Sequence, residues 1–203
     1  MSENHPINAT TSAIVFHGYT SSSKSIPTLA NINPSMLYDE KLIWFKSCFR
    51  PHFDEMIFEP IDRLVHSQDA LIGFIMMACV IDYLAGFWCG ESREKMGVKS
   101  SYIGFIREYF NDKYNAEDLY YSLRNGLIHM FTIQNGKYAL THKNPELHLT
   151  TLNGQTLLNA GDFLEDLKGA KNGYFDEVQN QSDLLDKLVE RFSNKGFLYV
   201  EPL

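Results

Sequence analysis

Arg124, Asn125 and His129 combine residue types that can carry out phosphodiester chemistry without a metal. Arginine keeps its charge at any working pH and presents a fork of donors that fits phosphate oxygens. Histidine trades protons near neutrality. The group lies late in the run Glu117-Asp118-Leu119-Tyr120-Tyr121-Ser122-Leu123-Arg124-Asn125-Gly126-Leu127-Ile128-His129. On an α-helix that run places Ser122, Asn125 and His129 on one face. Arg124 falls about 100° round from Asn125, with a stem long enough to reach the same rim. Gly126 is costly in mid-helix, about 1 kcal/mol against Ala, so close approach of another helix or of a phosphate is expected there. These residues together read as a metal-independent ribonuclease centre.

The elements that must position them are mainly helical. Residues 1–36, rich in Ser, Thr, Asn and Pro, read as an extended arm with a β-like run at Ala13–Phe16. Helical spacing begins near Tyr38 and continues past Pro51 and Pro60 into a long apolar helix from about Ile61 to Trp88. A loop over Gly90–Lys99 precedes a helix at Tyr102–Tyr109, and the motif helix follows from about Ala116 to Met130. The period then changes to two. Asn135-Gly136 joins Phe131–Gln134 to Lys137–Leu140, and Asn153-Gly154 joins Leu147–Leu152 to Gln155–Leu158, the pattern of a small antiparallel meander. Helices at Asp162–Lys168 and Ser182–Phe192 and a strand at Phe197–Val200 close the chain. This gives an arm (1–36), a helical domain (37–131), and β-hairpins with C-terminal helices packed on it (132–203).

With 203 residues, 44% hydrophobic and 21% charged, the chain is long and apolar enough for a real core. Its net charge of −7 argues against a broad, non-specific nucleic-acid coat but leaves room for a local basic cleft. Cys48, Cys79 and Cys89 share no C-x-x-C spacing and read as reduced core thiols of a cytoplasmic protein. Met1–Thr20 lacks the charged start, apolar stretch and small-residue cleavage site of a signal peptide, so secretion is not expected. The apolar run Ala70–Trp88 approaches the length of a bilayer span. Asp82 within it would cost roughly 3 kcal/mol on insertion, and the flanks show no one-sided basic bias, so a buried core helix and no membrane are expected.

Arg124, Asn125 and His129 match, residue by residue, the motif of the HEPN superfamily, whose helical domains carry Arg, a polar residue and then His near the end of the last main helix. The resemblance spans about residues 38–131, with Val80–Phe87 similar to the long helix of such domains and Leu119–Leu123 leading into the motif. It implies a homodimer or heterodimer, here a homodimer, in which two motif helices face one cleft, acting as a toxin, anti-phage or RNA-processing endoribonuclease without a cofactor. In that scheme His129 moves the proton of the ribose 2′-hydroxyl, Arg124 stabilises the phosphorane, and Asn125 orients the histidine or the phosphate. Ser122, Tyr121, Arg93 and Lys95 are the expected RNA contacts, with Lys99 in the same basic cluster. An antitoxin or another protein is a further expected partner. Phe131 stands where some members carry a tyrosine that a partner nucleotidyltransferase modifies, so silencing by that route is not expected. The resemblance equally admits a catalytically silent module that binds RNA, a nucleotide or a protein, with Arg124 paired to Glu117 or Asp118 and His129 at a helix end.

Two other patterns carry less. Ile14–Ser23 looks like the strand and His-Gly loop of an α/β-hydrolase, but no G-x-S-x-G elbow follows. His142, Glu146 and His148 lack metal-ligand spacing and read as surface polar residues, so no metal is expected.

Overall fold

The computed structural model describes residues 32–67 and 69–195, so the Ala13–Phe16 run, the hydrolase-like loop and the strand expected at Phe197–Val200 lie outside the described residues. The chain is mainly α-helical with a small mixed sheet.

Helix α1 covers 38–65 without stopping at either proline. A proline ring collides with the carbonyl four residues back and offers no N–H. Here each is absorbed by a π-turn just ahead of it, Phe45–Phe49 before Pro51 and Asp54–Phe58 before Pro60. In these turns Arg50 N–H donates to Phe45 O and Glu59 N–H to Asp54 O, five residues back, which widens the helix where the ring needs space. Phe45, Phe49 and Phe53 lie along one face of α1 and are fully buried.

The expected helix over Ile61–Trp88 is in fact two. α1 ends at Val65, and α2 begins after a short turn, as Ala70–Cys89. In that turn the Ser67 hydroxyl donates to Leu64 O and accepts from Asp69 N–H, the local side-chain bonding by which Ser competes with helix continuation. α2 is apolar on nearly every side and packs against α1, α4 (Val98–Tyr109), α5 (116–130), α6 (Ala160–Asn180) and α7 (Ser182–Lys195). The stretch Ala70–Met96 is long and apolar enough to cross a bilayer by length and composition, and 61% of its most apolar window is buried inside the fold. Gly90–Ser92 forms a 3₁₀ turn between α2 and the short α3 (Arg93–Met96).

The sheet corrects one of the two hairpins. β2 (Thr151–Leu152) and β3 (Gln155–Asn159) are antiparallel across Asn153-Gly154, both at positive φ, as the turn chemistry demands. Asn135 and Gly136 also take positive φ, yet Phe131–Gln134 is not a strand. Instead β1 (Tyr138–Thr141) pairs parallel with β3, Tyr138 opposite Thr156, giving the order β1-β3-β2 in place of a meander. α6 is three times the expected length. Its glycines and polar outer face masked a regular stripe of Phe163, Leu164, Leu167, Ala170, Tyr174, Phe175 and Val178, all buried. Asn159 caps it, its Oδ1 accepting from Gly161 and Asp162 N–H.

One core joins these pieces, from Ile32 to Phe192. At its centre Phe49 meets Phe87, Phe175 and Phe192 at ring distances of 5.5, 5.8 and 5.7 Å. Phe49→Ala is therefore expected to lower the unfolding free energy by about 3–5 kcal/mol in urea titration. A loss under about 1 kcal/mol would show that α1 is not fixed by this cluster.

Candidate functional site

The motif helix α5 opens with Asn115, whose side chain accepts from Asp118 N–H at 2.9 Å. It starts as α-helix over Ala116–Leu119, becomes π-helical over Tyr120–Leu127, and closes with one α-turn, Ile128–Met130. The π segment changes which residues share a face. On an α-helix residues five apart point about 140° away from each other, whereas a ladder that repeats every five residues stacks them. Arg124 and His129 are five apart, and Arg124 Nη1 donates to His129 Nε2 at 2.6 Å. A guanidinium has only donors, so Nε2 must be the acceptor. That role belongs to the tautomer whose ring proton is on Nδ1.

The same change removes Ser122 from the site. Ser122 is fully buried, and its one hydroxyl proton is shared between Asn135 Oδ1 at 2.8 Å and Gln134 O at 3.2 Å. The expected RNA contact is thus a clasp that fastens 131–135 back onto α5. Gly126 belongs to that clasp. Its space is filled by the chain's own backbone, not by another helix or a phosphate: a Cβ would collide with Thr132 O and stand 2.8 Å from Gln134 N. Phe131 turns the chain at φ 51° and Thr132 N–H returns to Gly126 O at 3.3 Å. This fold-back uses the residues that the first hairpin would have needed.

Arg124 pairs with neither Glu117 nor Asp118. Its Nη2 lies 3.8 Å from Asp82 Oδ2 on α2, and its guanidinium carbon sits 6.0 Å from the centre of the Tyr120 ring. Asp82 in turn is gripped by Arg93, which binds the carboxylate through Nη2 and the Asp82 carbonyl through Nη1 at 2.7 Å. Arg93 is therefore committed to Asp82 and is not an exposed RNA contact. Lys95 is exposed on α3, while Lys99 is on α4, its ammonium 2.6 Å from the Tyr121 hydroxyl and 4.7 Å from that ring's centre. The expected basic cluster is thus divided between two places, and Tyr121 goes with Lys99. Asn125 is half-buried and makes no side-chain hydrogen bond among the described residues. His129 is exposed.

No family model, no curated protein and no solved structure matches this chain.

Residues that the spacing argument missed lie behind the pair. The only signal for Asp82 was a lone carboxylate in an apolar run. Tyr102 is fully buried, and burial, reinforced by the negative charge of Asp82, pushes its hydroxyl well above the ordinary range. Cys79, expected in the core, is exposed on α2, while Cys89 is buried and Cys48 partly so. Although the residue is exposed, the packed atoms around its sulfur keep water partly away and raise the Cys79 thiol, Asp82 adds to the rise and Arg124 opposes it.

His148 is not a surface residue, and both of its ring nitrogens are engaged inside the fold. Asn159 N–H donates to its Nδ1 at 3.1 Å, so Nε2 carries the proton and donates to the Tyr114 hydroxyl at 3.0 Å. Tyr114 passes its own proton toward Asp166 Oδ2 at 2.6 Å, and Lys113 pairs with the other oxygen. The relay ties the sheet to α6. Among the described residues no three His, Cys, Asp or Glu side chains gather as a metal set.

Gly126→Ala is expected to destabilise the fold by about 2 kcal/mol or more, because the atoms it meets are backbone and cannot swing aside. A thermal melt within a degree of wild type would mean that 131–135 does not rest on α5.

Proposed function

We propose that the chain is a cytoplasmic, HEPN-like, metal-independent endoribonuclease. The observation that carries this reading is the 2.6 Å bond from Arg124 Nη1 to His129 Nε2 on a π-helical turn. An imidazole whose Nε2 is an acceptor, next to a guanidinium, is suited to taking the 2′-hydroxyl proton while the cation meets the growing charge on phosphorus. As a phosphate draws Arg124 toward itself, the Nε2 lone pair is released to act as base. The 2′-oxygen then attacks phosphorus as its proton passes to Nε2, and the P–O5′ bond breaks with the 5′-oxygen taking a proton from solvent, giving a 2′,3′-cyclic phosphate and a 5′-hydroxyl. DNA, lacking the 2′-hydroxyl, is not cleaved. RNA is the substrate, and an antitoxin fits the same reading.

The homodimer has its own support. Leu71, Ile72 and Met76 on α2 and Met130 and Phe131 at the end of α5 are exposed, Phe131 by 74%, on two helices that touch. Apolar residues exposed on the helix that carries the pair and on its neighbour suit a second copy with its own Arg/His set. Ile72→Glu with Phe131→Glu is expected to convert a dimer to a monomer in light scattering. A wild-type monomer at 100 μM would remove the paired-cleft arrangement.

A silent binding module is favoured by one observation, that Arg124 already has a carboxylate, Asp82, beside it. Activity separates the two. RNA incubated with wild type in EDTA should be cleaved, with His129→Ala and Arg124→Ala each slower by roughly 10²–10⁴-fold. Equal cleavage by His129→Ala, or none by wild type at high protein concentration, would leave the silent module standing.

A further inference from the structure

Asp82 has a third arginine in its neighbourhood. One turn further along α2, Gly86 leaves room for two guanidiniums at once: a Cβ there would stand 2.5 Å from Arg93 Nη1 and 2.8 Å from Arg191 Nε. Arg191 comes from α7 and is half-buried. Arg93 directs both terminal nitrogens to Asp82, and Arg124 approaches the second carboxylate oxygen. Arg191 has no carboxylate or hydrogen-bond partner among the described residues. The acids nearby are engaged elsewhere, Glu91 with Asn194, Glu94 with Lys195 and Asp183 with Lys187.

Two of the chain's six arginines thus share Asp82, and a third meets one of them at Gly86 with no carboxylate of its own among the described residues, in a protein of net charge −7. Cations gathered away from bulk water repel one another unless an anion joins them. Arg191 and Arg93 meet at Gly86, Arg124 lies beside Asp82 one turn earlier on α2, and His129 is bonded to Arg124.

We propose that Arg191, backed by Arg93, forms an oxyanion subsite for a backbone phosphate neighbouring the one held by Arg124. Naming the anion as an RNA phosphate rests on the ribonuclease reading of Arg124 and His129; the affinity for phosphate does not. Arginine's planar fork suits two phosphate oxygens at once, and a half-buried site strengthens the charge-assisted bond.

The test uses the full chain and two probes, inorganic phosphate by calorimetry and an all-2′-deoxy octanucleotide by fluorescence anisotropy from 50 to 300 mM salt. Arg191→Gln is expected to weaken phosphate binding at least about fivefold and to reduce the oligonucleotide salt slope by about 0.7, the share of one single-strand phosphate. Arg191→Lys, which keeps charge and stem, should retain the slope and lose about threefold in affinity; it also guards against a fold defect in the glutamine variant. Phosphate binding that depends on Arg191 while RNA stays intact in EDTA would uphold the subsite and remove only the ribonuclease reading. Wild-type affinity and slope in Arg191→Gln, or a wild type that binds neither probe at low salt, would overturn the subsite.

Discussion

The structure depends on burying a helix that has almost no polar face. α2 offers apolar side chains in nearly every direction, and a helix of that kind is stable in water only when neighbours cover it. Five other helices do so, each with its own apolar stripe. The cover leaves the outer part of α2's first turns open, where Leu71, Ile72 and Met76 remain exposed. The same burial makes Asp82 exacting. A carboxylate among apolar neighbours needs cations close by, and Arg93 and Arg124 are drawn to it from two elements far apart in sequence. The position of Arg124 is therefore set from the core outward.

π-turns are the second device, used for two different ends. In α1 they make room for proline rings, so that a rod of buried aromatics continues where an α-helix would kink. In α5 no proline is present, and the widened turn instead brings residues five apart into register. Gly126 completes that arrangement by admitting the returning backbone of 132–134, which packs against the turn and supplies partners for Ser122. The motif is consequently held from one side by Asp82 and from the other by its own downstream chain.

What was legible in the residues follows how local the cause is. The helix order, the Asn153-Gly154 hairpin and the buried nature of most of α2 rest on neighbours within a few positions, and each could be read from spacing. Asn135-Gly136 shows the limit. Its turn geometry forms as its chemistry requires, but the arm before it is claimed by Ser122 and Gly126, a competition invisible to period counting. The α-helical wheel placed Ser122 beside His129 and left Arg124 to reach round. The π-ladder reverses that, burying the serine and aligning the arginine. Arg93 looked like part of a basic loop because the carboxylate that takes it lies eleven residues earlier, on another helix. Asp82 itself stood out only as an anomaly whose purpose required knowing what packs against it.

Asp82 also bears on whether Arg124 is fixed or available. A full ion pair at 3.8 Å near a protein surface is worth on the order of 4 kcal/mol before desolvation, enough to hold Arg124 away from a substrate. The separation is nevertheless too long for a hydrogen bond, and Arg93 already supplies the close contacts to the carboxylate. Arg124 is thus guided by Asp82 without being bound to it, and its one short bond among the described residues runs to His129. A phosphate carries as much charge as a carboxylate and gains more as it approaches the phosphorane. It can therefore compete for the guanidinium on better than even terms, leaving Asp82 neutralised by Arg93. A lone arginine beside Asp82 would have been a structural ion pair. The second arginine is what lets the first keep a free hand.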